Sequence, residues 1–251
     1  MTSPMTPAMK LAVIGDPVAH SKSPQIHTAF LREAALAGSY EAIRVPAGGV
    51  RTAVERLRAQ GYLGINVTTP LKEEAYGVCT SLDEVARKSG SVNTMTLLPN
   101  GIAGANTDGV GSLEAVRAAT DADARGMSIL LLGVGPTARA AAFALHAHGA
   151  RVLLWNRTKE RARELAQRLD IHLWDGSAEV DVVLSTLPPG AQLEAALVHA
   201  LRAAPVVIDA NYGPRATLAA AIGRQTVDGE HWLLAQARAS FDIWRTRVKP
   251  A

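Results

Sequence analysis

Gly133-Val134-Gly135-Pro136-Thr137-Ala138 has the form GxGxxA, directly after the apolar run 128–133 and directly before a segment of helical period. The chemistry such a spacing serves is anion binding. The first glycine permits a tight turn, the second lets the backbone approach a pyrophosphate, and the small third residue allows close packing of helix on strand, with the anion at the helix N-terminus. About twenty residues further on, a unit that binds NAD places Asp or Glu against the ribose 2′-hydroxyl. This chain instead has Asn156-Arg157-Thr158, with Arg161 one turn later. A carboxylate there would repel a 2′-phosphate, whereas the guanidinium of Arg157, helped by Arg161, can pair with one bidentately, so the expected cofactor is NADP. The alternative is that both arginines lie on a solvated helix start. A basic residue near a helix N-terminus opposes the macrodipole, which weighs against that alternative.

Four other short segments are unusually polar for the ends of strands: Ser21-Lys22-Ser23-Pro24, Asn66 to Lys72, Gly90 to Thr94, and Asn106-Thr107-Asp108-Gly109. In open α/β sheets the strand ends face the ligand crevice, so their hydroxyls, amides, one lysine and one carboxylate can converge on a small polyol acid. Each also has a purely structural reading. Ser23 and Asp108 can be helix N-caps, Thr68 and Asn93 can stabilise loops, and Lys72 can be a solvated surface lysine.

The elements that must position these residues alternate. Short apolar runs at 11–15, 39–45, 63–67, 128–133, 151–155, 180–185 and 206–210 read as strands, and segments of helical period at 50–60, 108–119, 137–148, 159–169 and 232–247 read as helices. That is the pattern of βαβ units and an α/β fold. A helix is expected with Ser23 as N-cap and Pro24 at N1, another from Pro70, and a hairpin of 91–98 with 102–106 across Pro99-Asn100-Gly101. The length of 251 residues suits about two domains. With 48% hydrophobic and 20% charged residues and no apolar run near the roughly 18 residues of a membrane span, disorder and membrane insertion are excluded. A net charge of +3 from 26 basic and 23 acidic residues implies no nucleic-acid partner. One cysteine, Cys79, fits a reducing compartment, and a cytoplasmic location is expected. The first residues, MTSPMTPAMK, lack an apolar h-region and are expected to be a frayed leader, with Met9 a candidate start. No metal site is expected: His146 and His148 point in different directions on a helix, and a structural role is expected for His20 and His27.

From Val13 to about Trp244, the four polar segments and the glycine loop together resemble the shikimate dehydrogenase family closely. The resemblance implies two three-layer α/β domains with parallel-type sheets, the second a Rossmann-like dinucleotide-binding domain, and an active site in the cleft between them. It implies a discontinuous substrate-binding and catalytic domain, 9–107 plus 225–251, and an NADP-binding domain, 108–224. The implied reaction is the reversible NADP-dependent reduction of 3-dehydroshikimate to shikimate, in the route to chorismate and the aromatic amino acids. Carried over position by position, Ser21 and Ser23 hold the substrate carboxylate; Thr68, Asn93 and Gln236 meet ring hydroxyls; and Tyr212 lies beside the substrate. Lys72 and Asp108 become the catalytic pair. Gly133, Val134, Gly135, Pro136, Thr137, Ala138, Asn156, Arg157, Thr158, Arg161 and Gly229 become the cofactor contacts. A monomer or homodimer is expected.

The match departs in three places. Pro136 stands where the family usually has another small residue, which removes an N–H that would face phosphate and is expected to weaken cofactor affinity. Ser185-Thr186-Leu187-Pro188-Pro189 replaces the usual Asn-Ala-Thr, and His231-Trp232 replaces Gly and Met, so that a bulky ring is expected to cover or obstruct the nicotinamide. Three rivals stay open: a quinate or other cyclic polyol-acid dehydrogenase, a non-catalytic ligand sensor, and a reductase working through a Cys79 thioester. Serine at both 21 and 23 favours shikimate, since quinate-preferring members of the family tend to carry threonine at the second position.

Overall fold

Period-2 alternation sends successive leucines of one strand to opposite faces, and that forces a three-layer packing. In the run Ser128–Leu132, Ile129 and Leu131 join one apolar cluster while Leu130 and Leu132 join another. The computed structural model describes residues 8–247. These form two units, one made of the described residues up to Thr107 and from Gln236 onward, the other of Asp108–Ala235.

The first unit runs β1 (Met9–Gly15), α1 (Ser23–Glu33), β2 (Gly38–Arg44), α2 (Val50–Ala59), β3 (Tyr62–Val67), α3 (Lys72–Val78), β4 (Ser81–Leu82), α4 (Glu84–Ser89), β5 (Thr94–Leu98) and β6 (Gly101–Ala105). Its sheet has the order β2-β1-β3-β5-β6-β4. It is mixed: β1 pairs in parallel with β2 and β3, while β5 runs antiparallel to both β3 and β6. The β5–β6 pair is the hairpin expected across Pro99-Asn100-Gly101. Leu11 and Val13 pack on Phe30 and Leu31 of α1 and on Ala237, Phe241 and Trp244. Ile14 faces the other way, toward Val54 and Leu57 of α2 and Ala75 of α3.

The second unit runs α5 (Asp108–Thr120), β7 (Ser128–Leu132), α6 (Pro136–Ala147), β8 (Arg151–Trp155), α7 (Lys159–Leu169), β9 (His172–Leu173), β10 (Val182–Ser185), α8 (Ala195–Ala203), β11 (Val206–Asp209) and α9 (Leu218–Ile222). Its five strands are all parallel, in the order β11-β10-β7-β8-β9. Helices α5, α6 and α7 cover one face, α8 and α9 the other. A last helix, α10 (Glu230–Arg245), begins in this unit and continues into the first.

Several expectations shift. The return of the chain to the first unit comes at Gln236, not 225, because Gly229 and Trp232 are both packed within the second unit. Ser23 is the first residue of α1 rather than its N-cap; Lys22 occupies that place with helical φ and ψ and no side-chain cap. Helix α3 starts at Lys72, two residues after the expected start at Pro70. Of the expected leader, Met9 and Lys10 pair with Gly38 and Ser39 as part of β1, and residues 1–7 lie outside the described residues. The two-residue strands β4 and β9 and the short helices α4 and α9 carry too little periodicity to be read from the sequence.

Candidate active site

In the first sheet β2 and β3 flank β1 on opposite sides, so the chain leaves the C-terminal ends of β1 and β3 in opposite directions. A crevice opens at such a switch point. The loops there are Asp16–Lys22, leading to Ser21 and Ser23, and Thr68–Leu71, leading to Lys72. They are tied together: Asp16 N donates to Thr69 O at 3.1 Å, and Thr68 N donates to Ile14 O at 2.9 Å. Gly15 is required by that approach, since a Cβ there would lie 2.4 Å from Thr68 Cγ2. Ser21 Oγ accepts the Ser23 amide at 3.2 Å. Lys72 is buried, and its carbonyl accepts Val92 N at 2.9 Å, which joins the start of α3 to the segment that carries Asn93.

Behind these loops lies a buried polar network. Asn93 Oδ1 accepts the Thr107 amide at 2.9 Å and the Thr94 hydroxyl at 2.9 Å, so a backbone donor settles which way its side-chain amide points. Its nitrogen then donates to Thr107 Oγ1 at 3.0 Å and to Gln236 Oε1 at 3.4 Å. Asn66 Nδ2 donates to Asn93 O at 3.1 Å and to Ser240 Oγ at 3.0 Å, and Asn66 Oδ1 accepts the Tyr40 phenol at 2.7 Å. Ser240, one helical turn after Gln236, also lies 2.7 Å from Thr94 Oγ1 and 3.1 Å from Thr107 Oγ1. Fully satisfied buried networks of this kind rigidify the groups they hold. Within this unit the fold gathers Ser21 and Ser23, Thr68 and Lys72 at one switch point and links Asn93 to Gln236 directly. Asp108 and Tyr212 belong to the second unit. Tyr40 and Ser240 were missed by the sequence motifs. Ser240 could have been found from its i+4 spacing to Gln236; Tyr40 carries no local signal.

The second sheet has its own switch point, at the ends of β7 and β10. Gly133 follows β7 with φ +108°, and a Cβ on it would meet Thr186 Oγ1 at 2.6 Å, so only glycine fits there. Its amide donates to Trp155 O at 2.9 Å, which ties the glycine loop to the end of β8, where Asn156 and Arg157 follow. Gly135 is different. Its backbone is ordinary (φ −67°, ψ 177°), and a Cβ would meet nothing within 4 Å. The fold does not need glycine here; the residue keeps the space above the N-terminus of α6 open. Pro136 is the first residue of that helix, the position where its missing N–H has no intrahelical use. Val134 is half-buried in the loop, and Ala138 is wholly buried where α6 meets the sheet. Thr137 turns its hydroxyl to Asp108 Oδ2 at 3.2 Å, so this cofactor candidate also positions the buried carboxylate.

Asn156 Nδ2 donates to Thr158 O at 3.0 Å, shaping the turn into α7. Thr158 is the N-cap of α7 without a side-chain cap bond, and Arg157 and Arg161 are exposed. Among the described residues neither arginine has an ion-pair partner. Thr186 Oγ1 donates to Leu132 O at 2.9 Å, so the sequence departure after β10 still closes over the end of β7. Tyr212 follows β11, half-buried, just beyond Asn211, whose amide nitrogen donates to the buried Asp209 at 2.8 Å.

One expectation is corrected here. Trp232 covers no ligand space of its own: it is buried in the core of the second unit against Gly111, while His231 is exposed. Gly229 also has a packing role, since a Cβ on it would lie 2.2 Å from Ala210 O. Burial pushes the Cys79 thiol up to about 12, away from the thiolate form a nucleophile needs, and the thiol donates to Ala75 O. Among the described residues no three His, Cys, Asp or Glu side chains gather as a metal-ligand set, and no helix is long and apolar enough to cross a membrane.

Residues 13–95 match the family described as shikimate dehydrogenase substrate binding domain, and residues 115–188 match the family described as shikimate / quinate 5-dehydrogenase. The chain is 34% identical over 258 residues to the shikimate dehydrogenase (NADP(+)) of Shewanella halifaxensis, covering 96% of this chain and 92% of that one. It is 37% identical over 256 residues to the enzyme of the same name from Stenotrophomonas maltophilia, covering 94% and 90%. In three dimensions it is similar to the shikimate 5-dehydrogenase of Thermus thermophilus solved with NADP(H) and shikimate, with a TM-score of 0.83 and 31% identity over 96% of this chain and 95% of that one.

Proposed function

Because the chain belongs to the shikimate dehydrogenase family, we propose that it interconverts 3-dehydroshikimate and shikimate with NADP as hydride carrier. The observation that carries the cofactor half is Gly135, a glycine with ordinary backbone angles and open space where a Cβ would go, at the N-terminus of the twelve-residue helix α6. Room for a pyrophosphate explains it, and nothing in the packing does. The exposed Arg157 and Arg161, at and just after the end of β8, fit a 2′-phosphate. NADP supplies the hydride donor and acceptor.

The chain's own residues do the rest. Ser21 and Ser23 offer hydroxyls to the substrate carboxylate, and Thr68, Asn93, Gln236 and Tyr212 meet its ring hydroxyls and flank. Loss or gain of hydride at a ring carbon leaves alkoxide character on the attached oxygen, which must exchange a proton. The Lys72 ammonium stabilises that charge and exchanges the proton, while the Asp108 carboxylate, held by Thr137, hydrogen-bonds the same hydroxyl. Arginine at position 72 could supply charge but could not readily release a proton. The single thiol supports a reducing, cytoplasmic setting.

The direct test is the rise in absorbance at 340 nm with shikimate and NADP⁺, run beside quinate and NAD⁺. The expected result is a kcat/KM of about 10⁴ M⁻¹s⁻¹ or more, with shikimate and NADP⁺ preferred. Lys72→Met should lower kcat by about 10²-fold or more while leaving NADP⁺ binding intact. A fully active Lys72→Met protein would remove Lys72 from the chemistry.

A further inference from the structure

Ser240 stands where three buried polar side chains and a helix carbonyl meet, although no motif contains it. It lies on α10, four residues after Gln236. Its oxygen is 3.0 Å from Asn66 Nδ2, 2.7 Å from Thr94 Oγ1, 3.1 Å from Thr107 Oγ1 and 2.9 Å from the Gln236 carbonyl. Asn66 belongs to β3, Thr94 opens β5 and Thr107 directly precedes α5, so one hydroxyl ties α10 to three other segments of the first unit. One turn further along, Trp244 Nε1 donates to Met95 O at 3.0 Å, which docks the same helix on β5 independently of Ser240.

Backbone groups orient the two amides, and the hydroxyl protons follow from that. Asn66 Nδ2 donates to Asn93 O at 3.1 Å, and Asn93 Oδ1 accepts the Thr107 amide at 2.9 Å. The second Asn66 proton faces Ser240 Oγ at 3.0 Å, with Thr94 Oγ1 beside it at 3.1 Å. The Ser240 proton lies between Thr94 Oγ1 and the Gln236 carbonyl, and the Thr94 proton goes to Asn93 Oδ1 at 2.9 Å. Thr107 Oγ1, which accepts from Asn93 Nδ2 at 3.0 Å, then donates to Ser240. Turning the Thr94 proton toward Ser240 instead would send the Thr107 hydroxyl back to Asn93 Oδ1 at 3.2 Å, and that oxygen would again accept twice. In either order both lone pairs of Asn93 Oδ1 are taken, so Asn93 meets a ring hydroxyl only through its Nδ2 protons.

We propose that Ser240 is a positioning residue for substrate recognition: it closes the buried circuit that leaves Asn93 a hydrogen-bond donor toward the ring, and it keeps Gln236, one turn earlier on the same helix, in register beside it. Without its oxygen the Asn66 and Thr107 protons lose an acceptor and Thr94 loses its donor, and a partly satisfied buried network re-sorts its partners.

The proposal rests on the reading of Asn93 and Gln236 as contacts to ring hydroxyls. Ser240→Ala removes only the hydroxyl, while Trp244 keeps α10 docked. The expected result is a KM for shikimate raised about 5- to 20-fold, with kcat within about twofold and the KM for NADP⁺ unchanged. In an Asn93→Ala background the further effect of Ser240→Ala should shrink to less than about twofold, because the hydroxyl acts through Asn93. Thr94→Val has nearly the same shape, breaks the next link of the circuit and should raise KM in the same direction, which provides a second reading if Ser240→Ala folds poorly. An unchanged KM for shikimate beside a weakened Asn93→Ala protein, a loss confined to kcat, or an undiminished effect in the double variant would overturn the proposal alone. Asn93→Ala with the wild-type KM would count against the reading of Asn93 and overturn the proposal with it. If wild type shows no turnover, the functional reading fails first; shikimate affinity measured by calorimetry on wild type and Ser240→Ala then tests the positioning role, and no difference between them overturns it.

Discussion

Arg157 stands exposed just past the end of β8, one residue beyond the carbonyl-bound Asn156, with no ion-pair partner among the described residues. A cation placed there against the helix dipole has a use only when a negative group arrives. Arg157→Ala should therefore weaken NADP by about 1.5–3 kcal/mol, the range for a lost charged hydrogen bond, and leave NAD nearly untouched. Titration of each cofactor into wild type and variant reads the difference; equal losses for both would sink the 2′-phosphate role. Other residues in the motifs turned out to have two duties. Thr137 belongs to the glycine loop and also holds Asp108, and Ser21 belongs to the serine motif and also accepts the amide of Ser23 at the start of α1. The motif residues were legible because anion binding and proton exchange demand particular chemical types at short spacing. Their second partners were not, since Tyr40 and Ser240 reach Asn66 across 26 and 174 residues.

At the level of elements, close approach replaces side-chain volume at several crossings. Gly111 on α5 meets the Trp232 indole so tightly that a Cβ would lie 2.3 Å from Cδ1 and 3.0 Å from the Trp232 carbonyl oxygen. Gly64 on β3 meets Trp244 in the same way, at 2.3 Å. Alanine is the better helix former by about 1 kcal/mol, yet Gly111→Ala should destabilise the protein by about 1–3 kcal/mol because the indole and the helix behind it must shift. Urea unfolding measures this, and a stabilised variant would show that the contact is slack. Most long elements could be read from the sequence by periodicity, among them α7 at residues 159–169 and β8 at 151–155. The two-residue strands could not, because Ser81–Leu82 and His172–Leu173 exist only as additions to the edges of sheets already formed.

For the molecule as a whole, the buried His27 couples stability to pH. Burial first, and the nearby Arg238 charge second, lower its pKa from 6.5 to about 3 in the folded protein. The unfolded chain therefore takes up a proton near pH 6.5 that the folded chain refuses until about pH 3. Stability is complete above the unfolded value and is lost as pH falls through that window, at about 1.4 kcal/mol per pH unit from this group. Urea unfolding at pH 7, 6 and 5 should show that slope, and His27→Phe should flatten it; identical slopes would assign the acid sensitivity to other groups. What the sequence by itself determined was the α/β class, the long elements, the glycine loop and the set of polar strand ends, because each is written in the period or spacing of neighbouring residues. Only the tertiary structure decided that the first sheet is mixed, that Trp232 turns into a core, that Gly229 is held by Ala210, and that Tyr40 reaches Asn66. Those outcomes depend on which distant surfaces meet, and packing between elements far apart in the chain leaves no local trace in either.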